Sequence, residues 1–234
     1  MKIAFCIILG PNVSSSFFIE WTKCLTNLIS QGHDVITSMY KGAYIDQNRH
    51  DAVQNALDAN PDYIFSLETD HKFEYTDVLR LVNFLEKDPT KEIVSGLYFM
   101  KEIPHNPIPW VTEECILVEY PENDLIEIFC GGLGFAAIRP NVFKKLKKPW
   151  FQNPHYKNED GEDLFFGTRL AEAGITWWMD TGLRIGHGEI YRDHYDKFKG
   201  DWLKGKKTIY LGKETCGLQK VKRRDIEINK NIKK

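Results

Sequence analysis

Residues 60–71 read Asn-Pro-Asp-Tyr-Ile-Phe-Ser-Leu-Glu-Thr-Asp-His: a turn signal, an apolar run, and two carboxylates, Glu68 and Asp70, spaced i, i+2. In extended chain that spacing turns both side chains to the same side. Two acids held together repel unless a cation lies between them, and hard divalent cations take oxygen ligands and bridge to phosphate. The same pattern also describes a solvated turn with two surface acids, so the pair needs company before it carries chemistry.

Three other places supply it. Arg49 stands four residues before Val53 and seven before Ala56, on the face a helix would turn toward a sheet. Read as lying in the first turn of that helix, its charge opposes the dipole, so either an anion waits within its reach or the side chain snorkels to the surface. His187 lies between Gly186 and Gly188, which let the backbone approach a ligand closely, and neutral imidazole ligates transition metals. Carboxylate with imidazole favours Mn2+ over Mg2+. Gly161-Glu162-Asp163-Leu164 opens an amphipathic helix; acids suit a first helical turn, and a carboxylate there could take a proton from an acceptor hydroxyl.

The elements that must position these residues alternate through the first half of the chain. Strands are predicted at 3–9, 35–39, 63–67 and 93–97, with helices at 17–30, 47–59 and 78–85 between them; Phe18, Trp21, Leu25 and Leu28 form the stripe of the first helix. Repeated strand–helix–strand order predicts an α/β fold with a central, mostly parallel mixed sheet flanked by helices. In an open sheet of that kind ligands bind beyond the carboxyl ends of the strands, where Glu68 and Asp70 fall. The second half adds strands that are mixed or antiparallel: a hairpin of 116–119 with 125–129, an apolar run after the glycine-rich 131–134, a short helix at 141–146, a helix at 162–173 and a buried strand at 175–179. Lys101–Trp110, with Pro104, Pro107 and Pro109, is a loop.

Bulk properties narrow the classes. At 234 residues the chain fits one domain, here 1–219, followed by a basic tail at 220–234 with seven Lys/Arg against two acids. That tail is either solvated or makes weak contact with an anionic membrane surface. Hydrophobic residues at 42% are enough for a core, and a net charge of −2 argues against a nucleic-acid partner. The five scattered cysteines form no CxxC pair or Cys/His cluster, which suggests neither a disulfide framework nor a structural zinc site, and the default is a reducing, cytoplasmic location. The apolar opening at 3–9 is too short to span a bilayer. Trp177 and Trp178 fit a core; Trp110, in the proline-rich loop, is the better candidate to stack on a sugar.

In order and spacing these segments resemble the GT-A fold glycosyltransferases, the family 2-like nucleotide-sugar transferases in particular, over residues 1–190. Glu68-Thr69-Asp70 resembles the acid-x-acid that holds the metal on the donor diphosphate in that family, with Glu replacing the usual first Asp. The resemblance therefore implies Asp70 and His187 as ligands of Mn2+ (or Mg2+), with Glu68 either a third ligand or a contact to ribose or a metal-bound water. It implies donor contacts from Pro11 and Asn12 in the loop after the first strand, from Arg49, from Thr69 and from Gly132 in Cys130-Gly131-Gly132-Leu133-Gly134-Phe135. It assigns the catalytic pair Glu162 and Asp163, with Asp163 as base. The implied activity is metal-dependent transfer of a sugar, with inversion, from a nucleotide-diphosphate sugar, commonly a UDP-sugar, to a hydroxyl of a saccharide or other acceptor. A nucleotidyltransferase is the nearest rival, although Gly10–Ser16 carries no Lys or Arg; an inactive nucleotide-sugar-binding module is the other.

Overall fold

The structure is a computed structural model that describes residues 1–101, 107–112, 115–153, 161–188 and 214–217. The basic tail at 220–234, the boundary at 219 and Pro104 lie outside the described residues. The elements in chain order are β1 (Lys2–Ile8), α1 (Ser15–Ser30), β2 (Asp34–Tyr40), α2 (Ile45–Asp58), β3 (Tyr63–Glu68), β4 (His71–Lys72), α3 (Tyr75–Lys87), β5 (Ile93–Leu97) and β6 (Trp110–Thr112). They continue with β7 (Cys115–Glu119), β8 (Leu125–Ile128), β9 (Phe135–Ile138), α4 (Asn141–Lys145), α5 (Glu162–Glu172), β10 (Trp177–Arg184), β11 (Gly186–His187) and β12 (Glu214–Gly217).

Seven strands form the central sheet in the order β2-β1-β3-β9-β5-β10-β8. Only β9 and β8 run against the other five: β9 is antiparallel to β3 and β5, and β8 to β10. The fold is therefore the mixed, mostly parallel α/β sheet expected from the alternating pattern. Two small sheets accompany it, β11-β4 and β12-β7-β6.

Strand alternation sorts the core into two layers. Ile3, Phe5 and Ile7 of β1 face α1 and α3, in a cluster with Trp21, Leu28, Val78, Leu81 and Phe65. Ala4, Cys6 and Ile8 face the other way and share a cluster with Ala52, Val53 and Ala56 of α2 and Phe166 and Leu170 of α5. Because helices cover both faces, β1 is buried from Ile3 to Ile8 without alternation in its burial. Each fully buried side chain of the size of Leu28 contributes about 1.5–3 kcal/mol by leaving water. Phe5 adds an edge-on contact to Trp21, with centroids 4.8 Å apart.

Several expectations are corrected. The buried stripe of α1 is Phe17, Trp21, Cys24 and Leu28, and Phe18 is 65% exposed. The helix starts at Ser15, capped by the Ser14 hydroxyl; Trp21 and Leu28 face inward as expected, with Phe17 and Cys24 in place of Phe18 and Leu25. Segments 116–119 and 125–129 do not form a hairpin: β7 pairs with β6 and β12, whereas β8 joins the main sheet beside β10. The five residues between them, Tyr120-Pro121-Glu122-Asn123-Asp124, separate two sheets instead of closing one. The strand expected at 175–179 is β10, which begins at Trp177 and extends to Arg184, past the expected end at Met179. Among the described residues no helix is long and apolar enough to cross a membrane.

Candidate active site

The carboxyl ends of β1, β3 and β5, which run parallel, lead to one rim of the sheet, and β9 enters there in the opposite sense. The register Leu67↔Phe135 sets the glycine-rich turn 131–134 beside the end of β3, where the Glu68 amide donates to the Gly134 carbonyl at 3.1 Å. The Thr69 hydroxyl, buried, accepts from the Gly10 amide at 3.1 Å. That bond ties the loop after β1 to the loop after β3 and leaves Pro11 and Asn12 exposed on the same rim.

Two groups of side chains occupy this rim. The first is Asp70, His71 and His187, whose ligand atoms all lie within 4.8 Å of one another. The antiparallel pair β4–β11 sets His187 directly opposite His71. Their rings stack, and Tyr98 meets both rings edge-on, at centroid distances of 4.5 Å to His71 and 5.3 Å to His187. His187 Nδ1 lies 2.7 Å from the Phe99 carbonyl. A carbonyl only accepts, so Nδ1 carries the hydrogen and Nε2 keeps its lone pair, 3.8 Å from Asp70 Oδ2. This is the arrangement of a metal-ligating histidine oriented by a backbone carbonyl. Burial, with His71 alongside, pushes the His187 pKa down to about 4, so its imidazole is neutral near pH 7.

His71 is fully buried, and neither ring nitrogen has a hydrogen-bond partner, although Nδ1 lies 3.1 Å from Asp70 Oδ1. An unpaired buried polar group costs about 1–3 kcal/mol. Gly134 makes room for this ring, because a Cβ there would come within 2.2 Å of His71 Cε1. Gly132 makes the same allowance for Tyr98, whose hydroxyl would lie 1.8 Å from an added Cβ and accepts from the Gly134 amide. Asp70 also pairs with the Lys101 ammonium. Burial works against its charge, but His71 and Lys101 together hold its carboxyl far below the usual range.

The second group centres on Arg49, which is only 2% exposed. Its Nε donates to Glu162 at 3.0 Å, Nη1 to Ser66 at 3.4 Å and Nη2 to Glu68, and Asp163 Oδ1 lies 3.8 Å from Nη2. One cation thus faces three carboxylates. Burial opposes the ionisation of Glu68, yet the Arg49 guanidinium holds its carboxyl below the usual range. Asp163 goes the other way: burial and the adjacent Glu162 push it well above the range of an ordinary aspartate. Its Oδ1 is buried without a hydrogen bond. A carboxylate with a raised proton affinity is chemically suited to accept a proton.

The structure therefore brings Asp70 and His187 together, and separately brings Arg49, Glu68, Glu162 and Asp163 together. Glu68 and Asp70 do not converge, because β3 ends at Glu68 and a turn at Thr69-Asp70 breaks the period of two. Glu68 turns to Arg49, and Asp70 turns to the histidines. Arg49 is also not in a first helical turn, since α2 begins at Ile45. It points inward as its spacing from Val53 and Ala56 required, but its donors go to carboxylates instead of reaching an open nucleotide pocket. Trp177 is in the core and donates from Nε1 to Ser95 Oγ at 3.0 Å, whereas Trp110 is half-buried at the start of β6. The sequence reading passed over His71, Tyr98 and Lys101. The position of His71 directly after Asp70 was the one local signal.

No protein-family model matches the chain, and no curated protein matches it. Solved structures do. The protein A197 from STIV superposes with a TM-score of 0.55 at 18% identity, over 80% of this chain and 85% of that one. A structure of GalNAc-T7 with UDP, GalNAc and Mn2+ superposes with a TM-score of 0.50 at 12% identity, over 81% of this chain. This chain spans 44% of the GalNAc-T7 chain. With the sheet order described above, these likenesses give the chain a GT-A-like fold.

Proposed function

We propose that the protein is a glycosyltransferase that moves a sugar from a nucleotide-diphosphate sugar to an acceptor hydroxyl, with the donor diphosphate at Asp70, His71 and His187. The observation that carries this reading is the convergence of one carboxylate and two imidazoles on the sheet rim, with Nδ1 of the buried His71 facing Asp70 and Nε2 left without a hydrogen-bond partner. That donor set suits Mn2+ better than Mg2+, since imidazole is a ligand for transition metals. When bound, the ion supplies charge neutralisation to the leaving diphosphate. A UDP-sugar is the favoured donor, and the GalNAc-T7 structure, which holds UDP and Mn2+, supports that choice.

The remaining work falls to the protein's own groups. Asp163 Oδ1 takes the proton of the acceptor hydroxyl as the new bond to the anomeric carbon forms and the sugar–phosphate bond breaks. The nucleoside diphosphate departs, and the proton stays on Asp163. Arg49, itself held by Glu162, lies 3.8 Å from that carboxyl. A single displacement of this kind inverts the anomeric centre.

The test is to incubate the protein with UDP-, GDP-, CMP- and dTDP-linked sugars, with and without Mn2+, and to measure release of the nucleotide. Wild type should release UDP only with the metal. Asp70→Ala should lose metal-dependent donor binding, and Asp163→Asn should keep donor binding but lose about 10²–10⁴-fold in transfer rate. Donor binding unaffected by Asp70→Ala would overturn the assignment. Retained anomeric configuration in the product, read by NMR, would remove the single-displacement step.

A further inference from the structure

Lys101 follows β5 by four residues and reaches back to the rim, where its ammonium pairs with Asp70 Oδ2. Its stem lies over Gly188. A Cβ on that glycine would stand 3.1 Å from Lys101 Cδ and 3.2 Å from Cε. Gly188 takes a left-handed turn, with φ +60°, and its amide donates to the Asp70 carbonyl at 2.8 Å. The glycine after His187 therefore does two things: it closes the backbone against Asp70, and it leaves a shelf for the lysine. The carboxylate that faces both imidazoles is already balanced by a cation of the protein itself.

We propose that Lys101 is a resident counter-ion of Asp70 that a divalent cation displaces, and that the displaced ammonium then grips the diphosphate of the bound ligand. The inference rests on the metal–diphosphate reading of this rim. A lysine ammonium is a compact charge on a flexible four-carbon stem. The Lys101 side chain is 42% exposed, so it has solvent to swing into. A divalent ion seated among Asp70, His71 and His187 competes with the ammonium for one carboxylate and repels it as a like charge. The next anion offered at the rim is a phosphate. The lysine consequently weakens metal binding while the diphosphate is absent and strengthens diphosphate binding once the metal is present. The two ligands are thereby coupled, and the coupling is reciprocal.

Calorimetry on the full chain tests this with two probes, Mn2+ alone and inorganic pyrophosphate in saturating Mn2+. Lys101→Met keeps the stem and removes the charge. It should bind Mn2+ about three- to fivefold more tightly than wild type, the scale of one partly exposed ion pair, and bind pyrophosphate at least about threefold more weakly. An Mn2+ affinity that is unchanged or weakened, or a pyrophosphate affinity that is unchanged or strengthened, would overturn the role given to Lys101. Asp70→Asn separates this from failure of the reading beneath it. If Asp70→Asn abolishes Mn2+ binding while Lys101→Met leaves both affinities as in wild type, only the lysine's role is lost. If Asp70→Asn binds Mn2+ as wild type does, the metal site itself is wrong.

Discussion

His71 and His187 lie face to face across the β4–β11 pair, with ring centroids 4.7 Å apart and planes inclined by 16°. Strand register sets this contact, and Gly134 supports His71 from beneath. Gly134→Ala, a change outside the cluster, should therefore act like His71→Ala and lower Mn2+ affinity by about 10–100-fold, as losses of orienting groups around metal ligands do. Calorimetric titration checks it. Wild-type Mn2+ affinity in both variants would remove His71 from the ligand set.

The Arg49 guanidinium lies within 3.8 Å of carboxylate oxygens of Glu68, Glu162 and Asp163. Arg49→Met should lower unfolding stability by about 3–5 kcal/mol, because it strands buried carboxylates without their partner. Arg49→Lys should recover only part of that loss, since a single ammonium cannot reproduce the fork that reaches three side chains. Urea denaturation of the three proteins measures both effects.

Asp163 predicts a pH dependence with a definite sign. Burial and Glu162 raise its folded-state pKa well above that of an ordinary aspartate, about 3.9 in an unfolded chain. The folded protein therefore retains a proton that the unfolded chain releases. The resulting stabilisation is complete below about pH 3.9 and is lost as pH rises through the folded value. The melting temperature of wild type should accordingly fall relative to that of Asp163→Asn as pH increases above 4 on this scale. Melting curves that stay parallel across pH would return Asp163 to ordinary behaviour.

Ser14 accepts the Phe17 amide at the start of α1, next to the exposed Pro11-Asn12 loop. Ser14→Ala should cost about 0.5–2 kcal/mol, as loss of an N-cap hydroxyl does. Thermal unfolding reads this directly.

The alternation of apolar runs and helical stripes made the first half of the sheet legible, because local periodicity alone decides those elements. In α1 the expected Trp21 and Leu28 do face the core, but Phe17 and Cys24 complete the stripe in place of Phe18 and Leu25, because apolar residues stand next to one another there and spacing alone does not choose between them. The place of β8 was illegible for another reason. A strand of four residues pairs wherever tertiary contacts allow, and β8 joined β10 instead of its sequence neighbour β7. The candidate site shows the same division. Asp70, Glu162, Asp163 and His187 stood out because acids at a strand end, acids at a helix start and a glycine-flanked histidine are local patterns. His71 and Lys101 enter through contacts across long stretches of chain, His71↔His187 by strand pairing and Lys101 with Asp70 by ion pairing. The place of His71 directly after Asp70 is the one local signal, and nothing beside Lys101 encodes its contact. The inward turn of Arg49 was readable, but its three carboxylate partners were not, since they come from two further elements.

The strand order also has a bearing on how the protein is made. Strand β9, which joins β3 to β5, comes from residues 135–138. During synthesis the layer β2-β1-β3, with α1 and α2, can assemble as a unit while the β3 edge still waits for its neighbour. That edge is mostly apolar, as Tyr63, Ile64, Phe65 and Leu67 are all buried in the finished sheet. Unpaired strand edges of this kind attract other chains. Nascent protein truncated before Phe135 should therefore be the aggregation-prone species, and the same few residues that bring Gly134 under His71 also cap the hazard.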